Sequence, residues 1–222
     1  MMRTLAGAAL VLLLSGCAST LEVRPRLPAS TFTQAGGSRL GVFMSPGNVA
    51  DSFPLKPGSG IWPATEYDFS PGRTVQEDLV RLTQRHFEES GFAEDPVDKR
   101  WNLVVEFLCY PPEVESGTLK TDAPLRLTLR DPRTLRAVQS EILTGTSPRQ
   151  SGRILRLLGG QWFEKKGLEE ALTEAYSDLY RKVDGQLARA AASESELRKT
   201  RPYRREDLQS RSQQAPTRRR SR

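Results

Sequence analysis

The stretch LRLTLRDPRTLRAVQSEILT, residues 125–144, decides the fold, because it predicts two strands joined by a turn. Leucine occupies every second position of Leu125–Arg130 with polar residues between, which is typical of a strand with one buried face. Asp131–Thr134 suits a type I turn, since Asp favours its first position and Pro its second. A strand over Leu135–Thr144 then pairs back, so we expect an antiparallel sheet.

Two more strands and a helix are predicted upstream of this hairpin. Arg39–Met44 is short and apolar, as a buried strand is, and Trp101–Tyr110 alternates between apolar and other residues. The expected core face of this second strand comprises Trp101, Leu103, Val105, Phe107 and Cys109. A capping box at Thr74–Glu77 predicts a helix start. The apolar face of this helix would hold Val75, Leu79, Leu82, His86 and Phe87, with Gly91 as its C-terminal cap and Phe92 folding back onto it.

A second main helix is predicted downstream, beginning near Leu168. Its apolar stripe contains Leu168, Leu172, Ala175, Leu179, Val183 and Leu187. Ile154–Phe163 is also apolar and favours a short helix, although Gly159-Gly160 interrupts it. We therefore predict one domain at residues 38–190 with the order β-α-β-β-β-α. The fold class is α+β, a two-layer sandwich in which both main helices cover one face of a small, mostly antiparallel sheet.

Residues 45–72 contain five prolines and four glycines, which exclude a long helix there. The segment also carries four aromatic residues: Phe53, Trp62, Tyr67 and Phe69. Such aromatics usually fix a long loop to its own domain. The alternative is that they form a partner-binding loop, because long loops are often functional.

Residues 1–16 have the features of an export signal. Arg3 precedes an apolar run over Leu5–Leu14, which is too short to span a bilayer but matches the core of a signal peptide. Leu14-Ser15-Gly16-Cys17 resembles the lipobox of bacterial lipoproteins. The resemblance implies cleavage before Cys17, a diacylglyceryl group on its sulfur and an acyl chain on the new amine. The alternative is an ordinary signal peptide cleaved near Ala18 or Ser19.

A lipid-anchored Cys17 would hold the protein on a membrane, since its acyl chains together bury many methylenes. Ala18, in place of the Asp that retains well-studied lipoproteins at the inner membrane, favours the outer membrane facing the periplasm. Residues 17–37 are then a tether, although Leu21 and Val23 could instead add an edge strand. Cys109 is left without an intramolecular partner, so we expect a buried free thiol; the alternative is an intermolecular disulfide.

The excess positive charge lies at the C-terminus. Residues 193–222 hold ten Lys/Arg and four Asp/Glu, whereas the other 192 residues hold 23 of each. We expect residues 191–222 to be a disordered basic tail, because they contain too few apolar residues to offset their ordering entropy. The tail is either a solvated extension or a patch that contacts anionic lipid or an acidic partner, through Arg218, Arg219 and Arg220 above all. An exported protein makes nucleic acid a poor candidate partner.

No catalytic, cofactor-binding or metal-binding motif is found. His86 is the sole histidine and lies on an apolar face, which favours a packing role and leaves no base for a Ser-His or Cys-His pair. Two cysteines and one histidine are too few for a His/Cys metal cluster. A carboxylate-only glycan hydrolase stays open, since its two acids need not be close in sequence. Glu106, in the middle of a predicted strand, is the acid that it would use.

The predicted order of elements resembles the small α/β domain of envelope lipoproteins in the curli-secretion, exopolysaccharide-export and lipopolysaccharide-assembly families. The matching pieces are Thr74–Phe92, Leu125–Thr146 and Leu168–Leu187. Such domains usually carry Asp-Thr-Gly in the turn, and here the Gly is absent. The resemblance implies a fold and not a pathway.

Three functions follow from these expectations. The first is a non-catalytic envelope lipoprotein with a protein partner, either an assembly factor or an accessory subunit of an export or surface machine. The second is a membrane-bridging or lipid-binding protein that acts through its basic tail. The third is a carboxylate-type hydrolase of cell-wall glycans.

Overall fold

The computed structural model describes residues 19–29, 35–56, 66–115, 118–148 and 152–200. The strands in these ranges are β1 Ser19–Thr20, β2 Ala35–Met44, β3 Phe53–Leu55, β4 Tyr67–Phe69, β5 Phe87–Phe92, β6 Leu103–Cys109, β7 Glu113–Val114, β8 Thr121–Arg130 and β9 Ala137–Thr146. The helices are α1 Pro46–Ala50, α2 Gly72–Thr83 and α3 Gly152–Thr200.

The predicted hairpin is confirmed as the pair β8–β9, which runs antiparallel from Asp122↔Thr146 to Arg130↔Ala137. Asp131 leads the turn: its Oδ1 accepts the Arg133 N–H (2.8 Å), and its carbonyl accepts the Leu135 N–H (2.9 Å). The turn is therefore one residue longer than the predicted type I turn. Leu135 closes it in the left-handed region, at φ 62°.

The main sheet has the order β5-β2-β6-β8-β9. The short strand β7 pairs with the beginning of β8, on the same edge that β6 occupies farther along β8. β2 lies parallel to β5 and β6, and the pairs within β6, β7, β8 and β9 are antiparallel. A second sheet of three short strands has the order β1-β4-β3. Helices α2 and α3 cover one face of the main sheet, which confirms the α+β two-layer sandwich.

The core lies between this sheet face and the two helices. Alternate strand residues supply one side of it, among them Val42, Val105, Phe107, Leu127 and Leu143. The predicted stripe of α3 supplies the other side, and its members from Leu168 to Leu187 are fully buried. Gly145 is the closest point between the layers, because a Cβ there would meet the Ala175 carbonyl and lie 2.6 Å from the Leu179 backbone nitrogen.

The first main helix, α2, is shorter than predicted, and its capping box does not form. Pro71 is the N-cap, without a side-chain cap bond, so Thr74 lies inside the helix. The helix ends at Thr83, and Phe87–Phe92 forms strand β5. Gly91 is therefore no helix cap, and Phe92 is half exposed instead of folding back.

Trp101 also differs from the prediction, because it precedes β6 and does not share the core face with Val105. Its ring lies over the opposite sheet face, where a Cβ on Gly41 would be 2.6 Å from Trp101 Cδ1 and one on Gly91 would be 3.3 Å from Cη2. The glycines let the indole lie flat against β2 and β5. The guanidinium carbon of Arg39 lies 5.7 Å from the centroid of the same ring, which is a cation–π distance.

Helix α3 joins the two segments that the sequence separates, 154–163 and 168–187. It cannot be straight throughout, because the Thr146 N–H donates to Asp178 Oδ2 (3.0 Å). The chain from Thr146 to Gly152 spans at most about 22 Å, whereas a straight helix from Gly152 to Asp178 would be about 39 Å long. We infer that the first part of α3 bends back, and the pair Gly159-Gly160 lies there.

The predicted boundaries of the domain also change at both ends. Residues 191–200 are helical, and Ala191 is buried, so the expectation of disorder from residue 191 is wrong for them. Residues 19–28 pack along the domain, so the tether prediction is wrong for this part. The alternative of an added edge strand is closer to the structure, because β1, just before Leu21, pairs with β4 at the edge of the small sheet. Residues 1–18 and 201–222 lie outside the described residues.

The segment 45–72 belongs to the domain. Its described part forms α1, β3 and β4, and Phe53, Tyr67 and Phe69 are buried in the core. The interpretation that aromatics fix this segment to its own domain is confirmed for these three. Trp62 lies outside the described residues.

Candidate functional site

The predicted lipid-attachment residue, Cys17, and the predicted lipid contacts, Arg218, Arg219 and Arg220, lie outside the described residues. Three regions remain as candidates. They are the N-terminal strap (residues 19–28), the cavity beside it, and the open sheet face, which is the side of the main sheet opposite the helices. Three ionisable side chains that the sequence singles out are further candidates: His86 and Cys109, which are buried, and Glu106, which is partly exposed.

The strap is an extended chain whose side chains point alternately into the domain and out to solvent. Leu21, Val23 and Leu27 turn inward, whereas Glu22, Arg24 and Arg26 are exposed. Backbone N–H groups of the exposed residues donate to α3 side chains: Glu22 to Glu169 Oε1 (3.0 Å), Arg24 to Thr173 Oγ1 (3.4 Å) and Arg26 to Ser177 Oγ (2.8 Å). Pro25, which has no backbone N–H group, lies between the donors Arg24 and Arg26.

The spacing of these bonds explains why the strap matches the helix. Two residues of extended chain advance about 6.6 Å, and four residues of α-helix advance about 6 Å. Every second strap residue therefore meets every fourth residue of α3. The alternation Leu21-x-Val23-x-x-x-Leu27 was the available signal for this, and only its first two members were recognised.

A cavity of about 530 Å³ lies beside the strap, within the range of about 300–1,000 Å³ that is typical of small-molecule sites. Its walls include Leu21, Val23, Phe69, Val75 and Tyr176. Asp78 lines it and is nearly buried, and burial raises the pKa of this carboxyl, while Arg81 approaches its Oδ1 at 3.3 Å. Sequence reasoning missed Asp78, because a single acid on a helix carries no pattern.

His86 lies in the turn after α2 and not on the helix itself. Its ring is 1% exposed, and Nε2 is 2.9 Å from Asp184 Oδ1 on α3. Arg85 Nη1 is 3.8 Å from the same oxygen and donates to the Pro28 carbonyl of the strap (2.9 Å). This arrangement fastens α2, α3 and the strap to one another, which is the packing role that the sequence favours for His86.

Glu106 lies on the open sheet face. Arg130 Nε donates to its Oε2 at 2.9 Å, across the β6–β8 pair. The sequence identifies no second acid that would act together with Glu106. The Glu106 carboxylate forms an ion pair with the Arg130 guanidinium. The arrangement is that of a cross-strand ion pair.

The open sheet face carries the exposed apolar residues of the hairpin. Val138 and Ile142 of β9 are 62% and 59% exposed. Beside them lie the Thr128–Ser140 hydroxyl pair (3.0 Å) and Arg126, which stacks on the Tyr110 ring at 5.5 Å. Ser140 lies between Val138 and Ile142 on this face, so the two exposed apolar side chains flank the hydroxyl pair, and Ile142 pairs with Arg126. Exposed apolar side chains beside an aromatic residue and an arginine are typical of a protein-binding surface.

Cys109 is 5% exposed and in no disulfide, which confirms the predicted buried thiol. Burial raises its pKa to about 12. Asn48 holds the surrounding backbone, since the Cys109 N–H donates to Asn48 Oδ1 (2.8 Å) and Asn48 Nδ2 donates to the Cys109 carbonyl (3.0 Å). A protonated, enclosed thiol is a packing group and a poor nucleophile.

In the described ranges, no group of three His, Cys, Asp or Glu side chains is arranged to hold a metal ion. None of the described helices combines the length and the apolar character that crossing a bilayer requires.

No protein-family model and no curated protein matches this sequence. Similarity is found among solved structures. A Xanthomonas campestris protein of family DUF330 aligns with a TM-score of 0.50 and 12% identity over 82% of this chain and 99% of its own. A predicted lipoprotein from Caulobacter crescentus aligns with a TM-score of 0.40 and 8% identity over 70% and 91% of the two chains. The PelC dodecamer from Paraburkholderia phytofirmans aligns with a TM-score of 0.32 and 12% identity over 71% and 97%.

The similarity to the Xanthomonas protein is one of fold. At 12% identity it identifies no family and transfers no activity. It agrees with the predicted small α/β domain, and it covers nearly the whole of that neighbour.

Proposed function

We propose that this chain is a lipid-anchored, non-catalytic protein of the bacterial cell envelope. Its role is that of an assembly factor or accessory subunit of an export or surface machine. The observation that carries the proposal is the lipobox Leu14-Ser15-Gly16-Cys17, which stands two residues before Ser19, where the described domain begins. The anchor and the folded domain are thus joined almost directly.

Cysteine is suited to lipid attachment at this position. A thiolate is nucleophilic near neutral pH, whereas the serine hydroxyl stays protonated and needs a base to activate it. The preceding apolar run supplies the export signal, and Ala18 favours the outer membrane facing the periplasm.

The surroundings of His86 and Glu106 support a non-catalytic role for these two residues. General acid–base chemistry needs a titratable side chain that can reach a substrate. His86 is enclosed and bound to Asp184, and Glu106 is bound to Arg130. Both residues have structural partners that account for their positions.

The open sheet face supports the role of an accessory subunit. Ile142 exposes a large apolar side chain opposite Arg126, which stacks on Tyr110, and Val138 exposes another farther along β9. We assign this face to the envelope partner, since interfaces are enriched in aromatic residues and arginine.

The anchor is tested by Cys17→Ser, with Cys109→Ser as the matched control. Cells are fed a palmitate analogue, and membranes are separated from the soluble fraction. We expect Cys17→Ser to lose the label and to leave an uncleaved precursor or a soluble form, whereas Cys109→Ser keeps the label. A Cys17→Ser protein that is still labelled and still sediments with membranes contradicts the proposal.

The partner face is tested by placing a photo-crosslinking amino acid at Ile142. The control position is Arg181 on α3, whose side chain is 68% exposed on the helix layer. We expect a discrete adduct with an envelope protein from position 142 and none from position 181. Equal adducts from both positions, or none from 142, would exclude the open sheet face as the contact.

A further inference from the structure

Leu119 and Leu135 are the two non-glycine residues of the described ranges that adopt positive φ angles, at 53° and 62°. A leucine in this left-handed region is strained, because its Cβ comes too close to the following carbonyl oxygen. Leu119 is 1% exposed, so the burial of its side chain offsets the strain. Leu135 is 59% exposed, so burial gives it no comparable compensation. A strained residue without local compensation is a reason to look for a function.

The turn that holds Leu135 is closed by hydrogen bonds in both directions. The Leu135 N–H donates to the Asp131 carbonyl (2.9 Å), and the Asp131 N–H donates to the Arg136 carbonyl (3.1 Å). Asp131 Oδ1 accepts the N–H groups of Arg133 (2.8 Å) and Thr134 (3.4 Å). These bonds to the charged carboxylate hold the pKa of Asp131 below its usual value. The turn is therefore ordered before any partner binds.

Two arginines flank the exposed leucine. Arg133 and Arg136 are exposed, and neither forms an ion pair with another described side chain. The acid within the turn, Asp131, is occupied by backbone N–H groups. An apolar side chain between two positive charges is complementary to an apolar pocket that has acidic residues around it.

The turn lies at the end of the domain away from the start of the strap. Glu169 of α3 accepts from the Glu22 N–H, and Gln186 of α3 accepts from Gln139 Nε2 (3.2 Å) at the turn end of β9. The helix between Glu169 and Gln186 is about 26 Å long. Residues 131–136 are therefore remote from the end at which the chain enters the domain.

We propose that the turn of residues 131–136 docks into an apolar pocket of a protein partner in the envelope, with acidic side chains around that pocket. Leu135 fills the pocket, and Arg133 and Arg136 pair with the acidic side chains. A preformed turn suits a protein pocket, because little conformational entropy is lost on binding, whereas a fluid bilayer requires no fixed conformation. The contact is separate from the open sheet face, and it rests on the proposed function only for the location of the partner.

Leu135→Gly is the decisive variant, because it is expected to weaken binding without weakening the fold. Glycine adopts a positive φ without strain, so the variant should be at least as stable in urea as the wild type. The binding readout is a photo-crosslinking amino acid at the exposed neighbour Thr134 in cells. We expect a discrete adduct with another protein, whose yield falls about tenfold or more in Leu135→Gly because the pocket no longer buries a leucine side chain.

Matched controls separate the turn from apolar exposure and charge in general. Val97→Ala changes another exposed apolar residue, 42% exposed, and should leave the adduct yield unchanged. Arg133→Gln together with Arg136→Gln should reduce the yield several-fold. Arg73→Gln together with Arg181→Gln removes the same number of exposed charges elsewhere and should have no effect.

The support lies in the dependence of the adduct on Leu135 and on the two arginines. No adduct from position 134, or an unchanged yield in Leu135→Gly, overturns the proposal. An adduct of twice the mass of the chain would assign the turn to a second copy. Sedimentation of the unlipidated chain with phosphatidylglycerol vesicles, lost in Leu135→Gly, would assign it to lipid; either result overturns the proposal.

Failure of this contact is distinguishable from failure of the proposed function. The Cys17→Ser experiment reports on the anchor alone, and the crosslink from Ile142 reports on the open sheet face alone. An adduct from position 142 without one from position 134 would reject the docking turn and leave the accessory role intact.

Discussion

Gly145 and Gly185 show how one residue type has opposite roles at two positions. A methyl group at Gly145 would strike the Ala175 carbonyl and the Leu179 backbone, so the helix layer would have to move away from β9. Gly185 lies inside α3, and a Cβ there meets nothing within 4 Å.

We expect Gly145→Ala to lower the free energy of unfolding by about 1–3 kcal/mol, as overpacked cores do. Gly185→Ala should raise it by about 1 kcal/mol, because alanine favours a helix interior. Urea titration of both variants beside the wild type measures the two changes. Effects of the same sign at both positions would contradict the contact between β9 and α3.

Cys109 gives a prediction about pH. Its pKa is raised from 9.0 to about 12 in the fold, so above pH 9 the unfolded chain loses a proton that the native protein keeps. Stability contributed by the protonated thiol is therefore complete below pH 9 and decreases as the pH rises toward 12, by up to about 1.4 kcal/mol per pH unit.

The measurement is the difference in unfolding free energy between the wild type and Cys109→Ala at a series of alkaline pH values. Tyr176 and Tyr180, whose pKa values burial also raises, are present in both proteins and largely cancel. The difference should shrink steadily above pH 9. A constant difference would show that Cys109 ionises as readily in the native protein as in the unfolded chain.

At the scale of elements, the strap is held by separate bonds that can be removed one at a time. Thr173→Val and Ser177→Ala delete the acceptors of the Arg24 and Arg26 N–H groups. Each lost bond is worth about 0.5–1.5 kcal/mol, so hydrogen exchange at these two amides should accelerate roughly two- to tenfold.

The Glu22 amide, which donates to Glu169, serves as the internal control and should keep its protection. Equal acceleration at all three amides would mean that the strap releases as a unit. Unchanged rates would mean that contacts other than these two bonds hold the strap in place.

The elements that sequence periodicity predicted well are those with a long, one-sided pattern. The leucines of β8 and the stripe of α3 from Leu168 to Leu187 are buried as expected. The boundary between α2 and β5 was missed, because Val75, Leu79 and Leu82 fit helical spacing and Phe87 continues it. The residues from Phe87 onward pair instead with β2, which lies far from them in the sequence, and helical spacing does not reveal that pairing.

The contrast between local patterns and contacts distant in sequence also applies to the candidate site. Glu106 and Cys109 were placed on strands by local alternation, and their partners Arg130 and Asn48 could not be paired with them from the sequence. The strap was recognised only in part, because its acceptors on α3 lie about 150 residues away. Local patterns predict faces, whereas partners require the topology.

At the scale of the whole molecule, the described core extends along α3 as far as Ala191. Among the side chains that the structure describes, Leu187, Ala190 and Ala191 are the last buried apolar ones, and Ala192 and Ser193 are exposed. A chain ending at Thr200 should therefore unfold at the same denaturant concentration as the full chain. A chain ending at Gln186 should lose about 2–5 kcal/mol, since it leaves a cavity where Leu187 packs.

Calorimetry or urea titration of the two truncated chains distinguishes these outcomes. A large loss on removing residues 201–222 would show that the basic tail packs on the domain.

The part of the strap from Glu22 to Arg26 can dock only after helix α3 exists, because its three backbone bonds to that helix reach across 147, 149 and 151 positions. A chain that crosses a membrane N-terminus first therefore exposes the neighbourhood of Cys17 in unfolded form while the remaining residues follow. Closing so long a loop costs entropy before any contact compensates, which makes docking a late folding event. Under the proposed anchoring, the enzymes that modify Cys17 would act on an open substrate, and folding afterwards would draw the domain toward the modified end.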